Sequence, residues 1–294
     1  MAEEKRATVR DIAKKAGVSV ATVSYVLNDK QDTKISESTR KKVLQIANLL
    51  NYSIPQRFKG DDGSKGYTIG IIYKLKEGSF SRNAEIMKMI HLLAERLGRM
   101  EFRCHLIPVD QDSEVGTPVK GLDGIIAIDL DQATFKKMSG NYFIPILCLD
   151  MMINDFLFYQ IHTDFDSITQ KCRELFDDDY VFAMDGYCNE GYQQYIESVA
   201  GRHFLNVAEG IDKKVLAKIR NKKVIAYGEM LGIAMLEYVD VGDLLVIMDH
   251  ENGGYLPEKV RVLQYDMEKK ANLSISIMMN ALEKKFDVKH EYKV

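Results

Sequence analysis

The chain has 294 residues, 28% charged and 46% hydrophobic, a length and balance that suit a globular protein of about two domains and exclude a disordered or fibrous chain. The formal net charge of −3 conceals an asymmetry: residues 1–60 hold 12 Lys+Arg against 6 Asp+Glu, and residues 61–294 hold 28 against 37. A head of +6 on a body of −9 points to a basic module for a polyanion joined to an acidic body, and argues against a nonspecific polycation.

Thr8-Val9-Arg10-Asp11 fits a helix start, with Thr8 able to cap and an acid three residues on. Val9, Ile12, Ala13 and Ala16 then form one apolar stripe, and Gly17 can turn the chain in a left-handed conformation. Ser19 can cap a second helix whose inward residues are Val23, Val26 and Leu27. A third helix begins near Ser36 and buries Val43, Ile46, Ala47 and Leu50. Three short helices in a basic segment, the first pair joined by a glycine turn, read as a helix-turn-helix. The run Gly60-Asp61-Asp62-Gly63-Ser64-Lys65-Gly66 marks a linker.

In the body, apolar strands are expected at Ile69–Tyr73, Gly124–Ile128, Ile144–Leu149, Tyr180–Met184, Val224–Tyr227, Leu244–Met248 and Val260–Leu263. A helix with Ile86, Ile90, Leu93 and Leu97 on one face lies between the first two, and another near Ala271–Lys285 follows the last. Strands apolar throughout and alternating with helices imply parallel sheets covered on both faces, and this many strands imply two sheets. A cleft outside the carboxyl ends of such strands is the natural small-molecule site.

No apolar run approaches the roughly 18 residues of a membrane span, and Met1-Ala2-Glu3-Glu4-Lys5-Arg6 leads into a polar helix where a signal peptide needs an apolar core, so a cytoplasmic protein is expected. Cys104, Cys148, Cys172 and Cys188 and the six histidines lack metal-ligand spacing, so neither a metal site nor a disulfide framework is expected. The six cations between Lys213 and Lys223 read as a solvated face, and Asp177-Asp178-Asp179 as a polar loop. Gly-rich phosphate loops and a G-x-S-x-G elbow are missing, so the sequence calls for no cofactor and no catalytic residue.

The stretch from Thr8 to Asn28, TVRDIAKKAGVSVATVSYVLN, with Ser36-x-x-Thr39-Arg40-x-x-Val43 and Asn51-Tyr52, resembles the DNA-binding headpiece of the lac repressor family. The body resembles the family more faintly, through Ile69-Gly70-Ile71-Ile72, Gly121–Ile126 and Ile144–Asp150. The resemblance implies an α/β chain: a small all-α headpiece (1–59), a linker or atypical hinge (60–66) and a two-lobed periplasmic-binding-protein-like core of parallel sheets (67–294). It places 67–150 and 265–285 in one lobe and 156–262 and 286–294 in the other, with three chain crossings between them.

The same resemblance implies that Val20, Ala21 and Tyr25 face base edges, and that Thr8, Ser19, Thr22, Ser24, Asn28, Lys34, Thr39 and Tyr52 lie toward phosphates. Val20 and Ala21 suit thymine methyl groups; Tyr25 stands where many family members carry a guanine-reading Arg, so a guanine preference is not implied, and packing within the headpiece is its other reading. The family's leucine-bearing hinge helix has no counterpart in Ile54-Pro55-Gln56-Arg57-Phe58-Lys59 and the glycines and acids that follow; Ile54 or Phe58 as a substitute wedge, or a flexible tether, are the alternatives. In the cleft, the family's sugar-gripping Arg, Asn-Asp pair and Asp correspond to Cys188, Tyr227-Gly228 and Asp249, of which only Asp249 keeps the pattern. Asp164 matches a further cleft acid, and Tyr73 and Phe80 could supply aromatic walls; Asp164 and Asp249 also read as caps, and Tyr73 as core. The resemblance implies a dimeric transcription regulator, a repressor on a pseudo-palindromic operator, with a small-molecule effector, a protein co-regulator or no effector. The alternative is a small-molecule binding protein with a vestigial or nonspecific DNA-binding head.

Overall fold

A computed structural model describes residues 8–27, 35–49, 66–109, 118–155, 157–176, 179–249, 255–283 and 290–294. Asn28, Lys34, Leu50, Tyr52, the hinge segment Ile54–Lys59 and all of the expected linker but Gly66 lie outside them. The chain divides into two units, one of residues 1–65 with 137–144 and one of residues 66–136 with 145–294; the headpiece belongs to the first and the two-sheet core to the second.

In the headpiece, α1 (Val9–Ala16) starts at Thr8, whose hydroxyl accepts the Asp11 N–H while the Asp11 carboxylate accepts the Thr8 N–H at 2.8 Å. This reciprocal cap satisfies donors that a helix N-terminus otherwise leaves open. Gly17 ends α1 at φ 69°, a left-handed conformation that glycine adopts without steric cost, and so turns the chain into α2 (Val20–Leu27). With α3 (Glu37–Leu49), these helices bury Ile12, Ala13, Ala16, Val23, Val26, Leu27, Val43, Ile46 and Ala47 in one core.

The core holds two all-parallel sheets. The first has β1 (Thr68–Tyr73), β2 (Arg103–Pro108), β3 (Gly124–Ile128), β4 (Ile146–Leu149), β5 (Tyr159–His162) and β11 (Glu291–Lys293), in the spatial order β11-β5-β4-β3-β1-β2. The second has β6 (Tyr180–Met184), β7 (Phe204–Asn206), β8 (Lys223–Tyr227), β9 (Leu244–Met248) and β10 (Arg261–Gln264), in the order β10-β9-β8-β6-β7. β3 and β9 are buried along their whole length, as strands covered on both faces by helices must be. α4 (Phe80–Arg99) and α10 (Met267–Leu282) pack on the first sheet, and α5 (Gln132–Ser139) joins β3 to β4. α6 (Phe165–Phe176) and α7 (Glu190–Ala200) cover one face of the second sheet, and α8 (Lys213–Ile219) and α9 (Glu229–Met235) the other.

The lobe boundaries differ from those expected. Residues 159–162 and 291–293, assigned to the second lobe by the resemblance, extend the first sheet: Leu147 registers with Tyr159, and Tyr292 with Ile161. The Gln160 N–H donates to the His290 carbonyl and the Val294 N–H to that of His162, so the two strands satisfy each other's backbone at the sheet edge. Among the described residues the chain therefore crosses between lobes twice rather than three times, between β5 and α6 and between β10 and α10.

Candidate nucleic-acid interface and interlobe cleft

In the headpiece, Ser19 accepts the Thr22 N–H at 3.0 Å and its hydroxyl lies 2.8 Å from that of Thr22. At the start of α3, Ser36 accepts the Thr39 N–H and donates to the Thr39 hydroxyl at 2.9 Å. These four hydroxyls, with Val18 and Ile35, line one open groove where the N-termini of α2 and α3 come together. Helix N-termini and hydroxyls form a setting for phosphate oxygens. Beside it, α2 leaves Ser19, Val20, Ala21 and Tyr25 exposed, Val20 to 47%, while Val23, Val26 and Leu27 on its other side are buried. Thr22 and Ser24 are half-buried. Thr8, expected near phosphate, is held in the α1 cap, where its hydroxyl donates to Asp11 at 2.7 Å.

The cleft between the lobes is filled with charge. Arg82, in the first turn of α4, is 5% exposed; its Nε donates to Asp129 at 3.0 Å, Nη2 to Asp150 at 3.0 Å and Nη1 to Glu85 at 3.3 Å. Asp129 and Asp150 each follow the last residue of an apolar strand, β3 and β4, with φ of 49° and 51°. Lys270 of α10 donates to the second oxygen of Asp150 at 2.6 Å. From the second lobe, the Tyr187 ring lies 4.0 Å beneath the guanidinium, the Cys188 and Asn189 N–H groups donate to Asp129, and Asp185 accepts the Arg82 N–H. Tyr265 donates its hydroxyl to Glu85 and stacks on Tyr227.

Burial works against the Arg82 charge, but the Tyr187 ring and the Asp129 and Asp150 carboxylates outweigh it and hold the proton firmly. Burial also raises Asp150, yet the Lys270 and Arg82 charges bring its carboxyl below the usual range. Asp129 ends above that range because its burial is only partly offset by Arg82. Burial pushes Glu85 up to about 7 against the pull of Arg82. His162, buried in β5, is pushed down to about 4.

The expected cleft residues are dispersed. Tyr73 is buried in the first lobe's hydrophobic cluster. Phe80 is 75% exposed at the rim, facing Ala208, Glu209 and Gly210. Asp164 accepts the N–H and hydroxyl of Ser167 at the start of α6. Asp249 pairs with Lys88 of α4 at 2.5 Å, an ion pair between lobes. Cys188 contributes its backbone N–H, and burial holds its thiol near 11. Tyr227 and Cys188 thus adjoin the Arg82 cluster, whereas Tyr73 and Asp164 serve the core and a cap. Among the described residues no cluster of His, Cys, Asp and Glu could hold a metal ion, and no helix is long and apolar enough to cross a membrane.

Sequence reasoning missed Arg82 and Lys270, although periodicity contained a signal for both. Arg82 precedes Ile86 and Ile90 at spacings of four, on the stripe that buries α4. Lys270 lies among the buried Met267, Ala271 and Ser274 of α10. A cation on a buried stripe implies a carboxylate facing it.

Comparison with known proteins agrees with both units. Residues 8–55 match the family model described as "Bacterial regulatory proteins, lacI family". Catabolite control protein A of Streptococcus mutans is 42% identical over 65 residues, 22% of this chain and 19% of that protein. The probable HTH-type transcriptional repressor ExuR of Bacillus subtilis is 29% identical over 176 residues, 58% of this chain and 50% of that one. The matched stretches thus span between about a fifth and a half of these relatives' own length. Among solved structures, the lac repressor dimer bound to operator and an anti-inducer aligns with 99% of this chain and 96% of its own at 18% identity and a TM-score of 0.54. The CelR–cellobiose complex aligns with 98% and 97% at 13% identity and a TM-score of 0.58. The headpiece thus matches the lacI family model, and the core has the two-lobed α/β fold of these solved structures.

Proposed function

We propose that this chain, with a lacI-family headpiece on a core of lacI-type fold, is a cytoplasmic, sequence-specific DNA-binding transcription regulator that represses as a dimer on a pseudo-palindromic operator. The observation that carries this reading is the α2 face: Val20, Ala21 and Tyr25 exposed beside a groove of four hydroxyls at two helix N-termini. Val20 and Ala21 meet thymine methyl groups, Tyr25 offers one hydroxyl and a ring to a base edge, and Ser19, Thr22, Ser24 and Thr39 hold phosphates. Asn28, Lys34 and Tyr52 extend the backbone contacts. One short recognition helix reads few base pairs, so two-fold pairing of headpieces supplies the remaining specificity. The core holds the dimer and sets the spacing of the headpieces, a role that needs no catalysis.

Capture of fragmented genomic DNA by the purified full chain tests the proposal. The expected result is enrichment of a sequence with two inverted half-sites about 10 base pairs apart, bound with a steep inverse dependence on salt. Uniform recovery of fragments would instead favour the small-molecule binder with a nonspecific head.

A further inference from the structure

We propose that the interlobe cleft is a guanidinium-binding site whose occupant is Arg82 of the same chain, so that the lobes close on an internal ligand. The inference goes beyond the DNA-binding reading and does not depend on it.

Ligands of parallel α/β sheets bind outside the carboxyl ends of the strands, and Asp129, Asp150 and Asp185 mark those ends for β3, β4 and β6. The group they surround is the Arg82 side chain. Its planar fork meets Asp129, Asp150 and Glu85 on separate N–H groups, and an aromatic face covers it at 4.0 Å. Carboxylates around the edge and a ring on the face match the donor geometry and the weak hydration of a guanidinium. The occupant also touches both lobes: the acids at its edge belong to the first, Tyr187 beneath it to the second, and Asp129 accepts two second-lobe N–H groups. Little remains to grip a polyol. Cys188 offers its amide to Asp129, Tyr227 is stacked on Tyr265, and Asp249 is engaged by Lys88. Gly228 sharpens the fit: a Cβ there would lie 2.0 Å from the Ser81 hydroxyl, so the second lobe's backbone closes directly onto the first turn of α4.

The test uses the full chain. Arg82→Ala is expected to lower the melting temperature by about 10 °C and to enlarge the radius of gyration in small-angle scattering. Millimolar ethylguanidinium, the fragment that the substitution deletes, is expected to reverse both changes saturably, and ethylammonium to reverse neither. Arg82→Lys keeps a charge but loses the fork; it is expected to open in the same way and, with its own side chain in the site, not to be closed by the additive, and its radius of gyration decides the matter if the alanine variant does not fold. Variants that stay closed, or an alanine variant that ethylguanidinium fails to close, would overturn the proposal. So would a saturable stabilisation of the wild-type chain by glucose or cellobiose, since a filled cleft has no room for a sugar.

Discussion

The headpiece and the cleft both gather polar groups, and they differ in how far those groups are open to solvent. In the headpiece, the hydroxyls of Ser19, Thr22, Ser36 and Thr39 line an open groove, and Val20 beside them stays 47% exposed. In the cleft, Arg82 is 5% exposed and three carboxylates, one ring and Lys270 complete the arrangement from within. Hydrophobic packing already closes the core of each unit, so these polar groups report on partners. An open polar and apolar face can receive a partner from outside, whereas buried ions must be matched on site because desolvated charge is costly alone. The contrast separates a surface open to another molecule from one whose charges are matched within the chain.

Removing residues 1–65 is the largest perturbation of the contrast. Operator affinity measured by fluorescence anisotropy is expected to fall by about 10³-fold or more, to the nonspecific level, while the melting transition of the core is kept. Retained operator affinity would dissolve the distinction between the two regions. Next is Lys270→Met, which strips Asp150 of one of its two cations and is expected to cost about 3–5 kcal/mol in urea unfolding.

Two buried titrating groups give opposite pH signatures. The folded chain holds the Glu85 proton up to about 7, against 4.5 as the ordinary value, so Glu85 makes stability fall as pH rises from 4.5 to 7. His162 gives up its proton near 4 when folded, against 6.5, so it makes stability fall as pH drops from 6.5 to 4. Each contribution is on the order of 3 kcal/mol, and between pH 4.5 and 6.5 the two oppose. Glu85→Gln is expected to leave a stability that climbs with pH across that range, and His162→Gln one that declines, both read by chemical denaturation at stepped pH. The smallest effect is expected from Ser19→Ala with Thr22→Ala: binding weakened about tenfold on operator and random DNA alike, because phosphate contacts carry no sequence information. A loss confined to operator would move these hydroxyls to the base edges.

The headpiece was legible because its signals are local. A cap at Thr8, a turn at Gly17 and the apolar spacing of Val23, Val26 and Leu27 each act within a few residues. The central strands β3, β6 and β9 were legible for a related reason, since burial on both faces demands unbroken apolar runs. Edge strands escape that demand. β2, with its largely exposed Arg-Cys-His-Leu-Ile-Pro, lies at one edge, and β5, with Tyr-Gln-Ile-His, is covered at the other only by the short β11; both carry mixed residues, and neighbours distant in sequence decide which sheet they join. The cleft was the least legible part: a cation on a buried stripe calls for a carboxylate, but Arg82 meets acids 47 and 68 residues away, and local spacing does not say which acids they are.

The tyrosines at the lobe junction have a practical consequence. Tyr187, Tyr192 and Tyr227 are buried there, Tyr265 stacks on Tyr227, and the chain contains no tryptophan. No indole takes up their excitation or masks their emission. Parting the lobes would wet several of these rings together, so phenol fluorescence and near-ultraviolet dichroism can follow closure in the native chain, without a label.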